Sequence, residues 1–199
     1  MIRNVIFDIG LVLIDFDWAS FVHGIVNDEK AEKVINAATW GNKTWNELDR
    51  GVLPFDEVIK LFQGNAPGYE KEIKLLFDRL GECPRRMPYA ISWINELKAK
   101  GLGVYYLSNY FEYLMQEAPE VLDFIPYMDG GIFSCHEKII KPDTEIYRRL
   151  CAKYDLTPSE CVFIDDSPAN IESARKFGLN GVLFEGYDKA YSEVMNMIE

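Results

Sequence analysis

Val5-Ile6-Phe7-Asp8-Ile9-Gly10-Leu11-Val12-Leu13-Ile14-Asp15 is the stretch whose reading decides the fold. A short apolar run that ends in one acid and then a glycine reads as a buried parallel strand delivering its carboxylate to the open end of a sheet. Asp8 is therefore a candidate nucleophile, because an aspartate so placed can attack phosphorus and divide one difficult displacement into two easier ones. The plainer reading is an aspartate that caps a turn. An isolated Asp-x-Gly does not separate the two.

Two later segments repeat the pattern. Leu102 to Leu107 is apolar, aromatic and β-branched and ends in Ser108-Asn109, while Cys161-Val162-Phe163-Ile164 ends in Asp165-Asp166. Ser-Asn after a strand serves equally as a helix cap. Two adjacent acids after an apolar strand are costly unless they are paired or bound to a cation, which favours a metal over a simple turn. Helices alternate with these strands: Pro88 opens one closed by Gly101, Asp143 to Tyr154 forms another with Pro142 in its first turn, and Ser167-Pro168 caps the helix Ala169 to Phe177 before Gly178. Gly181 to Phe184 reads as a last strand and Asp188 to Met197 as a last helix.

Alternating strands and helices predict an α/β fold with a doubly wound parallel sheet, in which ligands sit beyond the carboxyl ends of the strands. With the Asp8 strand central and the Ser108 and Asp165 strands on either side, the three ends face one crevice. Between Asp17 and Pro84 no convincing strand occurs, and the periodicity is helical. Residues 17–84 therefore read as an inserted helical cap, and 1–16 with 85–199 as the α/β core. Trp40 and Trp45 lie in that insert, where packing within the cap is the expected role.

The chain has 199 residues, 48% of them apolar, which suits one main core with a smaller appendage. Its 21 basic and 32 acidic residues give a net charge of −11 with no basic cluster, which excludes nucleic acid and anionic membranes as expected partners. An anionic substrate then needs a local cation. Lys141, set before Pro142, is placed to supply one, although a solvated lysine is the commoner case. Cys83, Cys135, Cys151 and Cys161 are too scattered for a zinc site and read as free buried thiols. Without a leader-like or membrane-length apolar run, a cytoplasmic protein is expected.

Mg²⁺ takes a few carboxylate oxygens together with phosphate and water. Asp8, Asp166 and the main-chain carbonyl near Gly10 supply the protein's share of such a set, Ser108 and Asn109 can donate hydrogen bonds to phosphoryl oxygens, and Lys141 adds positive charge.

In these segments the sequence resembles the haloacid dehalogenase-like (HAD) hydrolases. Four family motifs stand in order: Phe7-Asp8-Ile9-Gly10-Leu11-Val12, Leu107-Ser108-Asn109, Lys141-Pro142-Asp143 and Ile164-Asp165-Asp166-Ser167. The resemblance implies that Asp8 is the nucleophile, that Ser108 and Lys141 bind phosphate, that Asp166 is a direct magnesium ligand, and that Asp165 is a ligand or supports one. Leu48-Asp49-Arg50-Gly51 is similar to the cap of the subgroup containing bacterial sugar-phosphate phosphatases, so the expected activity is Mg²⁺-dependent hydrolysis of a small phosphorylated metabolite.

One position departs from the family. Its phosphatases usually carry a second aspartate two residues after the nucleophile, where this chain has Gly10. That acid protonates the leaving oxygen and then activates water, and losing it costs about 10²–10⁴ in rate if nothing replaces it. Three explanations stand: a leaving group that needs little protonation, as in a sugar 1-phosphate; a substitute among Asp15, Asp17 and His23; or phosphate binding without useful turnover. A 2-haloacid dehalogenase, which needs no proton for its leaving halide, is disfavoured by Asp165-Asp166. The oligomeric state is not legible.

Overall fold

The computed structural model describes residues 1–198. Seven strands form: β1 (Asn4–Phe7), β2 (Ile14–Phe16), β3 (Pro84–Arg86), β4 (Gly103–Ser108), β5 (Gly130–Phe133), β6 (Cys161–Asp165) and β7 (Asn180–Leu183). Five of them make one sheet in the order β5-β4-β1-β6-β7, and every neighbouring pair is parallel. β1 is central, with the Ser108 and Asp165 strands on its two sides, as the pattern of strand ends requires. Burial on both faces explains why these strands are almost continuously apolar: Val5, Ile6, Phe7, Val162, Phe163 and Ile164 are all fully buried.

Between β2 and β3 lie α1 (Trp18–Val26), α2 (Glu29–Ala38), α3 (Trp45–Arg50), α4 (Phe55–Asn65) and α5 (Glu70–Asp78). α1 ends at Asn27 in the left-handed conformation, and Asp28 restarts the chain as an N-cap that accepts from the Ala31 N–H at 2.7 Å. α3 lies in a Trp/Asn/Asp-rich segment to which the sequence assigned no element. Its six residues include an Asn and an Asp, poor helix formers, and tertiary contacts hold it. The chain enters and leaves this helical segment through one antiparallel ribbon, with Ile14 opposite Arg86 and Phe16 opposite Pro84. Three-residue strands containing a proline and two arginines carry too little periodicity to be read in advance.

The remaining helices are α6 (Ala90–Ala99), α7 (Glu112–Glu117), α8 (Ser134–Glu137), α9 (Thr144–Tyr154), α10 (Pro168–Phe177) and α11 (Tyr187–Ile198). Two capping expectations need correction. Pro142 is not in the first turn of α9; Asp143 is the N-cap, accepting from the Glu145 N–H at 2.9 Å, so Lys141-Pro142 stays outside the helix. Ser167 occupies the N-cap position of α10 without a capping bond from its side chain. The Asp165 carboxylate accepts the Ser167 N–H at 2.8 Å instead. All four cysteines are buried free thiols, and among the described residues no helix is long and apolar enough to cross a membrane.

Candidate active site

The site forms where β1, β4 and β6 end. Asp8 follows β1, with its N–H donating to the Ile164 carbonyl at 2.8 Å and its Oδ1 accepting the Ile9 N–H at 2.7 Å. The chain then turns sharply, with the Ile9 carbonyl accepting from Leu13 and Ile14 at 2.8 and 2.9 Å. Main-chain bonds on both sides thus leave the Asp8 side chain little freedom.

Lys141 is 2% exposed and places Nζ 2.8 Å from Asp8 Oδ1 and 2.7 Å from Asp165 Oδ2. Burial opposes its charge, but the Asp165 and Asp8 carboxylates outweigh that and hold the ammonium above its ordinary pKa. The solvated-lysine reading is therefore excluded by position. Lys141 is also gripped through its main chain: Asn109 Nδ2 donates to its carbonyl at 3.1 Å, and its N–H donates to Asn109 Oδ1 at 2.8 Å. One N–H of the Asn109 amide is thus engaged in positioning Lys141, and its second N–H, without a partner among the described residues, is left over on a residue that lines the cleft. Ser108 is fully buried, and its hydroxyl makes only a 3.5 Å contact with the Asn109 carbonyl.

Asp165 is fully buried and satisfied by Lys141, by the Ser167 N–H and by Asn170 Nδ2, which reaches both its oxygens at 3.0 and 3.1 Å. Asn170 is a site residue that sequence reasoning missed. Only its place in the first turn of α10, close after β6, could have pointed to it. The half-buried Asp166 carboxylate has no hydrogen-bond partner among the described residues, and burial, reinforced by Asp165, raises its pKa.

Carboxylate oxygens of Asp8, Asp165 and Asp166 lie within 4.8 Å of one another. Burial pushes Asp8 up to about 8 against the pull of Lys141, with Asp165 and Asp166 adding to the rise. Three acids therefore share one ammonium. A divalent cation fits such a set, since it offsets the excess negative charge and takes the oxygens that Asp166 leaves unused.

A cleft of about 270 Å³ opens onto Asp8, Gly10, Asn109 and Asp166. Its opposite wall comes from the helical segment and includes Trp40, Trp45, Asn46 and Asp49, with Phe16 and Phe111 at the sides. Trp45 packs on Phe62 and Phe77, with ring centroids 6.0 Å away, and so serves the core of that segment while also facing the cleft. The three proposed substitutes for the missing acid do not reach it. Asp15 is exposed on β2, Asp17 caps α1 by accepting the Ser20 N–H, and the exposed His23 pairs with Glu32 at 2.8 Å. A roomier cleft of about 520 Å³ lies beyond α3 near Glu112, Cys135 and His136. There His136 and Glu112 already satisfy each other at 2.8 Å, and burial pushes the Cys135 thiol up to about 11, which disfavours a thiolate ligand.

Residues 2–178 match the family model described as haloacid dehalogenase-like hydrolase. The chain is 29% identical over 182 residues to a sesquiterpene phosphatase of Aspergillus oryzae, covering 90% of this chain and 88% of that one. It is 28% identical over 193 residues to a D-ribitol-5-phosphate phosphatase of Bacteroides thetaiotaomicron, covering 89% of each. Three other relatives are longer proteins, of which the chain spans 37%, 61% and 19%. Among solved structures, the magnesium complex of a HAD family enzyme from Bacteroides thetaiotaomicron superposes with a TM-score of 0.73 at 20% identity, over 98% of both chains. With Asp8 at the end of its central strand, two flanking strand ends beside it and a family match along most of its length, the chain belongs to the haloacid dehalogenase-like hydrolases.

Proposed function

We propose that this hydrolase is a magnesium-dependent phosphatase of small phosphorylated metabolites, sugar phosphates among them, working through an aspartyl-phosphate on Asp8. The observation that carries the reading is the convergence of Asp8, Asp166 and Lys141 at the ends of adjacent elements, with the three carboxylates within 4.8 Å and the ammonium 2.8 Å from the nucleophile. Asp8, Asp166 and the Gly10 carbonyl would hold the ion, and Asp165 would support the set. When bound, magnesium supplies positive charge that shields Asp8 from the phosphate and stabilises charge on the transferring group.

The chain's own groups do the rest. A carboxylate oxygen of Asp8 attacks phosphorus in line with the leaving oxygen, and water later displaces phosphate from Asp8. Asp165 holds Lys141 charged beside the nucleophile, where its ammonium offsets phosphoryl charge. Asn109 fixes the Lys141 main chain, and the Ser108 hydroxyl, which lacks a strong partner of its own, supplies a donor to phosphate. Residues 17–84 act as the cap, hinged at the β2–β3 ribbon, and residues 1–16 and 85–199 as the catalytic core.

The aromatic wall of the cleft and the uncommitted Asn46 amide suit a polyol or sugar body, with its apolar faces against rings and a hydroxyl on the amide. A relative named for a sugar-alcohol phosphate supports this choice. A panel of sugar phosphates, sugar 1-phosphates and an isoprenoid phosphate, assayed with and without Mg²⁺, tests it. Turnover of sugar phosphates only with the metal is expected. An isoprenoid preference would overturn the substrate class. No turnover with phosphate and metal still bound would make the protein a phosphate binder.

A further inference from the structure

Gly10 leaves the reaction without a proton donor, and the structure holds an acid that no part of the mechanism above has used. Asp49 is 7% exposed near the end of α3. Its carboxylate takes no hydrogen bond and no ion pair among the described residues, yet the residue lines the same cleft as Asp8 and Asp166. A buried carboxyl without a partner is expensive, and where one persists in a substrate cleft its use is the explanation to look for.

The placement of Asp49 is built into the fold. The buried hydroxyl of Ser134, at the start of α8, donates to the Asp49 carbonyl at 2.6 Å and accepts the Tyr110 N–H at 3.0 Å, tying α3 to the loop that follows β4. Gly51, two residues on, ends α3 at φ +62° with its Cα packed so closely on Cys135 that an added Cβ would sit 2.9 Å from the Cys135 Cβ. Lys138 donates to the Gly51 carbonyl. These contacts pin one short helix to the sheet end, where Asp49 lines the cleft that also holds Asp8.

We propose that Asp49 is the general acid and base of this phosphatase, standing in from the helical segment for the carboxylate absent at Gly10. The inference rests on the phosphatase reading. As Asp8 attacks phosphorus and the P–O bond to the leaving group breaks, the Asp49 carboxyl gives its proton to the departing alkoxide. The resulting carboxylate then takes a proton from the water that attacks phosphorus, the P–O bond to Asp8 breaks, and phosphate, free Asp8 and a protonated Asp49 are restored. Burial pushes Asp49 up to about 7 against a lesser pull from Lys141, so it exchanges a proton near neutrality. Of the other titratable groups in the cleft, Asp8 is the nucleophile and Asp166 would hold the metal. Tyr110 also lines it, but its hydroxyl is buried without a partner among the described residues and held above its ordinary pKa by burial.

The test compares Asp49→Asn and Asp49→Glu with the intact chain, in Mg²⁺, on an alkyl phosphate and on p-nitrophenyl phosphate. Asp49→Asn is expected to lose about 10²–10⁴ in kcat on the alkyl ester. On the nitrophenyl ester, whose leaving group needs no proton, it is expected to release about one equivalent of nitrophenolate per site in a burst and then stall, because the water step lacks its base. Asp49→Glu moves the carboxyl by one methylene and lowers turnover of both esters by less than Asp49→Asn does. Adding Gly10→Asp to Asp49→Asn restores turnover, since a Cβ at Gly10 meets only Phe16 Cε2, at 3.6 Å. Alkyl-ester turnover within about threefold of the intact chain in both Asp49 variants would overturn the assignment, as would the absence of a burst in a folded Asp49→Asn. Nitrophenyl-ester release by the intact chain that does not depend on Asp8 would overturn the underlying phosphatase reading and Asp49 with it.

Discussion

Asn109 and Lys141 hold each other through a pair of hydrogen bonds, side-chain amide to main chain, at 3.1 and 2.8 Å. Through this pair the end of β4 sets where the Lys141 ammonium meets Asp8. Asn109→Ala is expected to lower kcat/KM by about 10²-fold, because a displacement near 1 Å at a reacting centre costs that much. Steady-state kinetics check it, with circular dichroism unchanged.

Lys141→Met removes the one ammonium that Asp8 and Asp165 share. Breaking a buried pair from one side costs about 3–5 kcal/mol. The loss should be larger at pH 8 than at pH 5, since Asp8, whose pKa burial raises, takes up a proton at the lower pH and relieves its share of the orphaned charge. Denaturant unfolding of the metal-free protein at the two pH values measures it.

Asp49 makes a second, signed prediction about stability. Its folded pKa, about 7, stands above the ordinary 3.8, so the folded state keeps a proton that the unfolded state has lost. Stability therefore falls as pH rises from near 4 to near 7 and is level above. Asp49→Asn removes that fall, and its melting temperature should exceed that of the intact chain at pH 8 and approach it at pH 4. At about 1.4 kcal/mol per unit the gain at pH 8 is on the order of 2–4 kcal/mol. Thermal melts across pH decide it, and a stabilised but inactive variant is the usual trade at a functional acid.

Gly51→Ala should cost both stability and activity. A side chain at φ +62° is strained, by about 1 kcal/mol or more, and its Cβ would push against Cys135. The shift moves α3 and with it Asp49, so kcat should fall on both an alkyl phosphate and p-nitrophenyl phosphate, while the first-turnover release of nitrophenolate is kept.

Asp8, Lys141 and the Asp165-Asp166 pair were legible in the sequence because each ends an apolar strand or precedes a proline, so local pattern alone marks its place. The central position of β1 followed from the common placement of those ends. Asn170 and Ser134 carry no such mark. Ser134 matters through Asp49, 85 residues away in the chain, and Asp49 lies in a segment to which the sequence assigns no element, marked only by the likeness of Leu48-Asp49-Arg50-Gly51 to a family cap. Asn109 is marked by its place after β4, but nothing local shows that its amide also grips a main chain 32 residues on. Asp15, Asp17 and His23 lie near Asp8 in sequence, whereas Asp49 shares its cleft from 41 residues on.

The most direct test of the account is the rate of nitrophenolate release from p-nitrophenyl phosphate by the intact chain in Mg²⁺, by the same protein in EDTA, and by Asp8→Asn in Mg²⁺. Release that requires the metal and vanishes in Asp8→Asn is the predicted result; equal release in EDTA, or undiminished release from Asp8→Asn, would contradict it.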